Sequence, residues 1–355
     1  MLRFLAVSVI AASALVFSSC GDKEGTRDTS GLYVISQEDR HGYINKSGTV
    51  VVQPQFDGAE PFSESLAAIK VGTSYGYIDP DGKIIINPQY DRAQPFSEGV
   101  AAVRVGDKYG FIDPEGNLKI NPQFDEAGEF VDGTARVRTG TKWGFVDPDG
   151  HMAINPIFDG VHDFIMGFAA AKVGSRWGYI THDGKIALNP QYDTAEDFVE
   201  DVAAVRVGQK CGYIDLEGKP VVPPQFAEER RFSGELAAVK IGSKWGYIDH
   251  SGKIVIALLF EGALDFSGDR AAVRDEKKWG YIDRSGKIVI TCQFDEAGQF
   301  QDGVALVQLG AQRGYIDLSG KFIWGPVNWK VVPPPAPPAA QKPPRKASRG
   351  TSIFD

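Results

Sequence analysis

The stretch Lys142-Trp143-Gly144-Phe145-Val146-Asp147 lies near the middle of a chain of 355 residues, and its glycine belongs to a strict series. Glycines recur in this series every 34 residues, without insertion or deletion. They are Gly42, Gly76, Gly110, Gly144, Gly178, Gly212, Gly246, Gly280 and Gly314. A fixed period of this length predicts one small structural unit stacked nine times, in which each unit shares its core with its neighbours.

Each unit contains three short apolar runs, which in the second unit cover residues 66–71, 75–79 and 84–86. The runs are too short for helices and are rich in β-branched and aromatic residues, so they predict strands. A polar loop with Gly72 joins the first two, and Asp79-Pro80-Asp81-Gly82 predicts a type I turn closed by a left-handed glycine. Two successive hairpins predict a three-stranded antiparallel meander.

The connector between units carries a proline and two aromatic residues. The third run ends at Asn87-Pro88. Because proline cannot donate to a ladder, the strand is expected to stop or to become an edge there. Tyr90 and Phe96 follow, and both positions are aromatic in the other connectors. Burying such a ring is worth about 1.5–3 kcal/mol, so we expect the connectors to pack between successive meanders, with room for a short fourth strand.

Charged residues also follow the period and form three columns. The basic column is Lys70, Arg104, Arg138, Lys172, Arg206, Lys240 and Arg274. The first acidic column is Asp79, Asp113, Asp147, Asp215, Asp249, Asp283 and Asp317, and the second is Asp57, Asp91, Asp125, Asp159, Asp193, Glu261 and Asp295. We interpret the columns as ion pairing and turn capping. Gly76 is expected roughly opposite Lys70, where a missing side chain lets another group approach closely.

These residues resemble the WG-repeat family, also called KWG repeats. The motifs that carry the resemblance are Lys142-Trp143-Gly144-Phe145-Val146-Asp147, Arg176-Trp177-Gly178-Tyr179-Ile180, Lys244-Trp245-Gly246-Tyr247-Ile248-Asp249 and Lys278-Trp279-Gly280-Tyr281-Ile282-Asp283. The resemblance implies a repeat scaffold of bacterial proteins, often exported. It implies no agreed ligand and no catalytic residues.

The predicted fold is therefore all-β, with nine tandem 34-residue antiparallel meander repeats over residues 31–324. The order of elements in a unit resembles a propeller blade, and closure into a propeller-like ring protects every strand edge. The alternative is an open, curved β-solenoid array with capping units at its two ends.

The segments outside the array predict export and anchoring. Residues 1–19 have one positive charge and a short apolar run, as in a secretory signal peptide, and Ser18-Ser19-Cys20 resembles a bacterial lipobox. Lipidation of Cys20 would place the chain in the bacterial cell envelope, held to the membrane by its lipid. Residues 20–30 are expected to form a flexible tether, and residues 325–355 a proline-rich, basic and disordered tail.

Composition and residue spacing argue against several classes of partner and of chemical activity. The formal net charge is −8, and the basic tail leaves an acidic array, which argues against nucleic acid as a partner. The five histidines show no ligand spacing, so we expect no metal and no cofactor. Cys211 and Cys292 fall at different phases of the repeat and are expected to be small buried side chains rather than a disulfide. No nucleophile with an oriented base is visible, so we expect no enzymatic activity.

The leading hypothesis is a lipid-anchored envelope scaffold whose rigid β-surface binds a protein or glycan partner. The candidate ligand surface is Trp143, Trp177, Trp245 and Trp279, whose rings would stack on sugars if exposed; the alternative is that they are core residues. Two other functions stay open, namely a hydrolase of envelope glycans or peptides, and a passive spacer for the proline-rich tail.

Overall fold

The computed structural model describes residues 31–328, and every regular element in this range is a β-strand. The strands form nine antiparallel sheets, and each sheet is one blade of a closed ring, so the fold is a nine-bladed β-propeller. The predicted all-β fold, the nine 34-residue units and the ring are confirmed. The chain does not form the alternative open array.

Strands follow one another in each blade in chain order. Blade 1 has β1 (Leu32–Gln37), β2 (Arg40–Asn45) and β3 (Val50–Phe56). Blade 2 has β4 (Gly58–Ala59), β5 (Ala67–Val71), β6 (Ser74–Ile78) and β7 (Ile84–Tyr90). Blade 3 has β8 (Arg92–Ser97), β9 (Val100–Val105), β10 (Lys108–Ile112) and β11 (Leu118–Phe124). Blade 4 has β12 (Glu126–Val131), β13 (Thr134–Thr139), β14 (Lys142–Val146) and β15 (Met152–Phe158). Blade 5 has β16 (Gly160–Val161), β17 (Phe168–Val173), β18 (Arg176–Thr181) and β19 (Ile186–Tyr192).

The remaining blades repeat this plan. Blade 6 has β20 (Thr194–Ala195), β21 (Val202–Val207), β22 (Lys210–Asp215) and β23 (Pro220–Phe226). Blade 7 has β24 (Glu228–Glu229), β25 (Ala237–Ile241), β26 (Lys244–Ile248) and β27 (Ile254–Phe260). Blade 8 has β28 (Gly262–Ala263), β29 (Ala271–Asp275), β30 (Lys278–Ile282) and β31 (Ile288–Phe294). Blade 9 has β32 (Glu296–Ala297), β33 (Val304–Leu309), β34 (Gln312–Asp317) and β35 (Phe322–Asn328).

The repeated glycine is needed because the last strand of each blade crosses it closely. In blade 4, Trp143 pairs with Phe158 and Phe145 pairs with Ile154, so three residues of β14 oppose five of β15. This bulge brings the carbonyl oxygen of Ile154 to 2.3 Å from where a Cβ on Gly144 would stand. The predicted close approach is thus made by backbone of the same blade. The proline does not stop the strand; it lies in the bulge, on the edge strand.

Aromatic rings of neighbouring blades form the core between them. Tyr77 of blade 2 packs on Phe96 of blade 3 with ring centroids 4.8 Å apart, and both side chains are almost fully buried. The Tyr77 hydroxyl also donates a 2.7 Å hydrogen bond to the Gln94 carbonyl in blade 3. Equivalent ring pairs recur from blade 1 to blade 9, which confirms that the connectors supply the inter-unit core.

The contact between blade 9 and blade 1, which closes the ring, uses a residue that the other junctions lack. The reason is that blade 1 has only three strands, whereas the other blades have four. Tyr33 occupies the position that is alanine in later units, for example Ala67, and its ring packs on Tyr315 of blade 9 at 5.5 Å. The Tyr315 hydroxyl donates to the carbonyl of Val34 at 2.8 Å. In blade 2 the equivalent carbonyl, on Ala68, accepts instead from the amide of Glu60, directly after the first strand. Tyr33 and Tyr315 therefore fill the place of the missing strand.

The two ends of the described chain leave the ring on opposite faces. We call the face that carries Asp79–Gly82 and its equivalents the turn face, and the face that carries Gly72 and its equivalents the hairpin face. Gly31 lies against Lys46, which is in a turn of the turn face. At the other end, Asn328 pairs with Gln312, next to a loop of the hairpin face.

The array extends further than the sequence boundary at residue 324, because β35 continues to Asn328. Pro326 stands 34 residues after Cys292, at the proline position of the repeat, so these residues complete the ninth unit rather than begin the tail. The predicted signal peptide, the tether with Cys20 and the rest of the tail lie outside the described residues.

Substitution of Gly144 by alanine should destabilise the ring by about 3 kcal/mol, since the new methyl group would collide with backbone that cannot move aside. Urea unfolding followed by far-ultraviolet circular dichroism measures the change. Gly298→Ala is the matched control, because its Cβ would come no closer than 3.3 Å to any atom. Equal midpoints for the two variants would contradict the role assigned to Gly144.

Candidate functional site

The first acidic column caps the turns of the turn face. The Asp79 carboxylate accepts hydrogen bonds from the backbone amides of Asp81 at 3.0 Å and Lys83 at 2.9 Å. The Gly82 amide closes the turn on the Asp79 carbonyl, with φ of +82° at this glycine. The same pattern recurs at most members of the column. Turn capping, as predicted, occupies these carboxylates.

The second acidic column ties the connector to the blades on either side. Asp125 accepts from Lys108 of blade 3 at 2.6 Å and from the Gly140 amide of blade 4 at 2.7 Å. The hydrogen bond from Lys108, followed by that from Gly140, holds the pKa of Asp125 below its usual range. Asp159 and Asp295 make the same pair of contacts. Ion pairing between units is therefore confirmed.

The basic column lies over the aromatic residue that precedes each repeated glycine. Lys70 pairs with Tyr75, and Ile69 rather than Lys70 faces Gly76, so the expected alignment was wrong by one residue. The reason is the tight loop of Gly72 and Thr73, which sets Val71 opposite Ser74. The Lys70 ammonium stands 5.6 Å from the Tyr75 ring, and similar cation–π contacts recur in the tryptophan blades.

The four tryptophans of the predicted ligand surface occupy equivalent positions in blades 4, 5, 7 and 8. Trp245 is buried, with 7% of its surface exposed, whereas Trp143, Trp177 and Trp279 are half-buried. Blade 6 has Cys211 at this position, so the indoles do not form one continuous patch. Trp177 and Trp279 lie against Gly160 and Gly262, on the first strands of their own blades.

First strands line the inner side of the ring. The first strands β8 and β12 of neighbouring blades pack against each other, and no two last strands do so as closely among the described residues. The last strands instead expose apolar side chains such as Ile84 and Ile85 at the outer rim. The first strands therefore converge on the ring axis. We call the up to three residues that precede each connector phenylalanine the inner band. These residues differ from blade to blade and include Glu129, His162, Asp163, Asp197 and Glu229.

A cavity of about 430 Å³ in the inner band contains one of the predicted tryptophans. Trp143, Glu129, Arg136 and Asp163 line this Trp143 cavity. The Arg136 Nε lies 3.3 Å from a carboxylate oxygen of Asp163. Desolvation raises the pKa of both Glu129 and Asp163, and the second effect on Glu129 is the nearby Asp163 charge. Carboxylates, a guanidinium and an indole together can hold a ligand rich in hydrogen-bond donors and stack on a ring.

His162 and Asp197 continue the inner band into blades 5 and 6. The His162 Nδ1 lies 2.9 Å from the Asp197 carboxylate, and its ring contacts Trp177 edge-on, with centroids 5.0 Å apart. The hydrogen bond to Asp197 raises the pKa of His162 above its usual value, although burial opposes the shift. The residues are 35 positions apart and lie on neighbouring blades, so the packing of blade 5 against blade 6 brings them together.

A second inner cavity, of about 270 Å³, lies where two repeat positions are broken. Glu196, Glu229 and Asp265 line this Glu229 cavity, together with Arg230 and Arg231. The sequence suggests a solvated loop for the charged run 228–231, but Glu228–Glu229 form a strand. The sequence does mark this site, because Glu229 occupies a position that is alanine or valine in the other units. Its side chain is only 9% exposed.

A further cavity, of about 630 Å³, lies on the turn face between blades 6, 7 and 8. His250 stacks on Phe232 with centroids 4.0 Å apart and contacts Glu200 at 3.1 Å. Glu200 also accepts from the amides of Gly234 and Glu235, so these polar groups already join neighbouring blades. His250 and Arg284 replace the proline found in blades 2 to 4, for example Pro80.

Residues 31–328 contain no group of three His, Cys, Asp or Glu side chains that could hold a metal ion. Cys211 and Cys292 are both free thiols, and burial raises the pKa of each, to about 12 for Cys211. In this part of the chain no helix has the length and apolarity needed to cross a membrane.

Replacement of His162 by asparagine should reduce stability by about 1 kcal/mol at low pH and by less at high pH. The folded-state pKa of His162 is raised, so its contribution is complete below the unfolded value near 6.5 and is lost as pH rises through the folded pKa. Thermal unfolding of both proteins from pH 5 to 9 measures the difference. His151→Asn, on an exposed turn, is the control, and a difference that grows with pH would contradict the pairing.

Comparison with known proteins gives a consistent result. The sequence profile described as "WG containing repeat" matches residues 42–72, 75–109, 109–143, 143–177, 177–211, 212–245, 245–279 and 279–311. No curated protein matches the sequence.

Among solved structures, a eukaryotic initiation factor is similar with a TM-score of 0.59 at 12% identity, covering 82% of this chain and 94% of the other. Dihydro-heme d1 dehydrogenase NirN, in complex with DHE, has a TM-score of 0.47 at 13% identity, covering 77% of this chain and 75% of the other. Hsv2 of Kluyveromyces lactis has a TM-score of 0.40 at 11% identity, covering 72% and 91%. The similarity to the initiation factor supports the propeller fold and no conclusion about function.

Eight tandem matches span most of the array, and the structure folds each 34-residue unit as one blade. The chain belongs to the WG containing repeat family.

Proposed function

We propose that this chain is a lipid-anchored binding scaffold of the bacterial cell envelope, which presents the inner band of its ring to a protein or glycan partner without catalysing a reaction. One observation carries the proposal. The charged groups of the repeat positions serve turns, connectors and aromatic rings, whereas the inner band gathers charges that differ from blade to blade. Specific recognition needs such an asymmetric surface.

The path of the chain supports the anchoring part of the proposal. Residues 20–30 span at most about 40 Å when fully extended, and they join the ring on the turn face. A lipid on Cys20 would therefore hold the turn face towards the membrane. The described chain ends at Asn328 on the hairpin face, opposite to the face on which Gly31 lies.

The charge of the ring supports a partner other than nucleic acid. The tail from residue 331 carries four basic residues and one acidic residue, and the chain without this tail and without Arg3 has a net charge of about −12. A body of this sign repels a phosphate backbone and attracts cationic ligands. Carboxylates beside indoles, as in the Trp143 cavity, suit both basic proteins and sugars.

A specific observation keeps the hydrolase as a second candidate function. Glu129 and Asp163 line one cavity, and both have raised pKa values, as the acid of a glycosidase requires. Binding remains our preferred function, because Asp163 is paired with Arg136 and the third carboxylate of the lining, Glu126, is paired with Arg138.

Substitution of Cys20 by alanine should release the protein from membranes into the soluble envelope fraction, since a lipidated cysteine supplies the anchor. Fractionation of cells that express each form, with mass spectrometry of the mature N-terminus, measures the change. Recovery of the unmodified wild-type chain from the cytosol would overturn the anchoring proposal.

Removal of two inner-band charges by Glu129→Gln and Asp163→Asn should weaken retention of the envelope partner at least tenfold, because these carboxylates line the proposed binding surface. The measurement is capture from detergent-solubilised envelope and co-sedimentation with purified peptidoglycan, for wild type and variant.

The matched control is Glu115→Gln with Asp149→Asn, which removes the same charge from exposed turns. If both double variants lose retention of the partner equally, the loss comes from the overall charge of the protein and not from the inner band. Soluble fragments released from peptidoglycan by the wild type, and absent with Glu129→Gln, would favour the hydrolase.

A further inference from the structure

Two departures from the repeat compensate each other in the Glu229 cavity. Blade 6 has Cys211 where other internal units have an aromatic residue, and blade 7 has Glu229 where others have a small apolar residue. The Cys211 thiol lies beside the Glu229 carboxylate, and this carboxylate adds to the burial that raises the thiol's pKa. The smaller side chain on one blade thus makes room for a larger, charged one on the next.

The carboxylates at this place are buried and incompletely satisfied. One oxygen of Glu229 and one of Asp265 are buried without a hydrogen bond. The side chains are 9% and 11% exposed. The nearest cations, Arg206 and Arg231, stand 3.6 Å away, beyond hydrogen-bond distance. Leaving such groups without a donor costs stability, so their presence in a cavity points to a ligand that supplies one.

The remaining arginine of the cavity is held elsewhere. The Arg230 Nε donates to the carbonyl of Ala263 at 2.8 Å, and its guanidinium lies 5.8 Å from the Trp245 ring centroid. Glu196 adds a third carboxylate to the lining. The lining therefore contains carboxylate oxygens that the arginines of the cavity do not hydrogen-bond.

The size of the cavity limits what can enter. Its volume of about 270 Å³ lies below the range of about 300–1,000 Å³ that holds drug-sized ligands. One side chain fits this space better than an oligosaccharide. Ammonium and guanidinium groups carry three and five donors and no acceptor, which matches a lining with carboxylate oxygens that lack a hydrogen bond.

We propose that the Glu229 cavity is a recognition site for a single lysine or arginine side chain, held between Glu229 and Asp265. This inference rests on the proposed function, since it names the chemistry by which the scaffold recognises a polypeptide. Two polypeptides can supply the cation: a partner protein, or the chain's own basic tail with Lys342, Arg345 and Arg349.

The test measures binding of defined peptides to the full chain by fluorescence anisotropy. The probes are labelled acetyl-Ala-Ala-X-Ala-Ala peptides in which X is arginine, lysine or citrulline, the last being a neutral analogue of arginine. The arginine and lysine peptides should bind at least ten times more tightly than the citrulline peptide. Equal binding of all three would overturn the inference.

Two sets of variants locate the site. Glu229→Gln with Asp265→Asn should weaken binding of the arginine peptide at least tenfold, whereas the exposed control pair Glu115→Gln and Asp149→Asn should not. Cys211→Trp with Glu229→Ala restores the residues of the other units. It should abolish binding while raising the melting temperature, which separates loss of the site from loss of the fold. Full binding by either cavity variant would overturn the inference.

A final arm identifies the source of the cation. A chain that ends at Asn328 should bind the arginine peptide more tightly than the full chain if the tail occupies the cavity, and equally if a partner protein does. Both results support the site. Failure of the peptides to bind while envelope capture still depends on Glu129 and Asp163 would overturn this inference alone and leave the proposed function standing.

Discussion

The close crossing of two strands at the repeated glycine is the constraint on which the rest of the structure depends. At Gly144 the carbonyl of Ile154 stands where a side chain would begin, and the bulge of β15 wraps around that point. The bulge moves Phe158 opposite Trp143 and shapes the connector that leaves the blade. Each following ring contact, including the one between Phe145 and Phe164, depends on this path. This constraint explains why the glycine recurs in every unit of the sequence.

The charged residues that recur with the repeat have structural roles, and this helps to locate recognition. Asp79 holds a turn, Asp125 joins two blades, and Lys70 covers an aromatic ring. Groups fixed in this way in most blades cannot easily distinguish one ligand from another. The inner band is different, because Glu129, His162 and their equivalents change from blade to blade on a common scaffold. A repeat protein can thus keep its architecture and vary its specificity independently.

The local chemistry of the repeat made its turns and strands predictable from the sequence. Contacts that depend on the geometry of the ring could not be predicted in this way. Turns such as Asp79–Gly82 depend on neighbours within four residues, so sequence alone identifies them. The one-residue error at Lys70 arose because a two-residue loop sets the register of the hairpin. Pro326 carried a readable signal at the repeat period, yet the tail composition obscured it. The pairing of His162 with Asp197 was beyond reach, because it depends on how adjacent blades converge.

Closure through Tyr33 and Tyr315 separates the ends of the array from its interior. The contacts that seal the circle belong to the first and last units, while each internal junction repeats one pattern. Duplication or loss of one whole internal unit would therefore leave the seal chemically intact and change only the curvature. The number of blades in a lineage is then free to drift by genetic recombination within the limits of side-chain packing, and with it the width of the central opening.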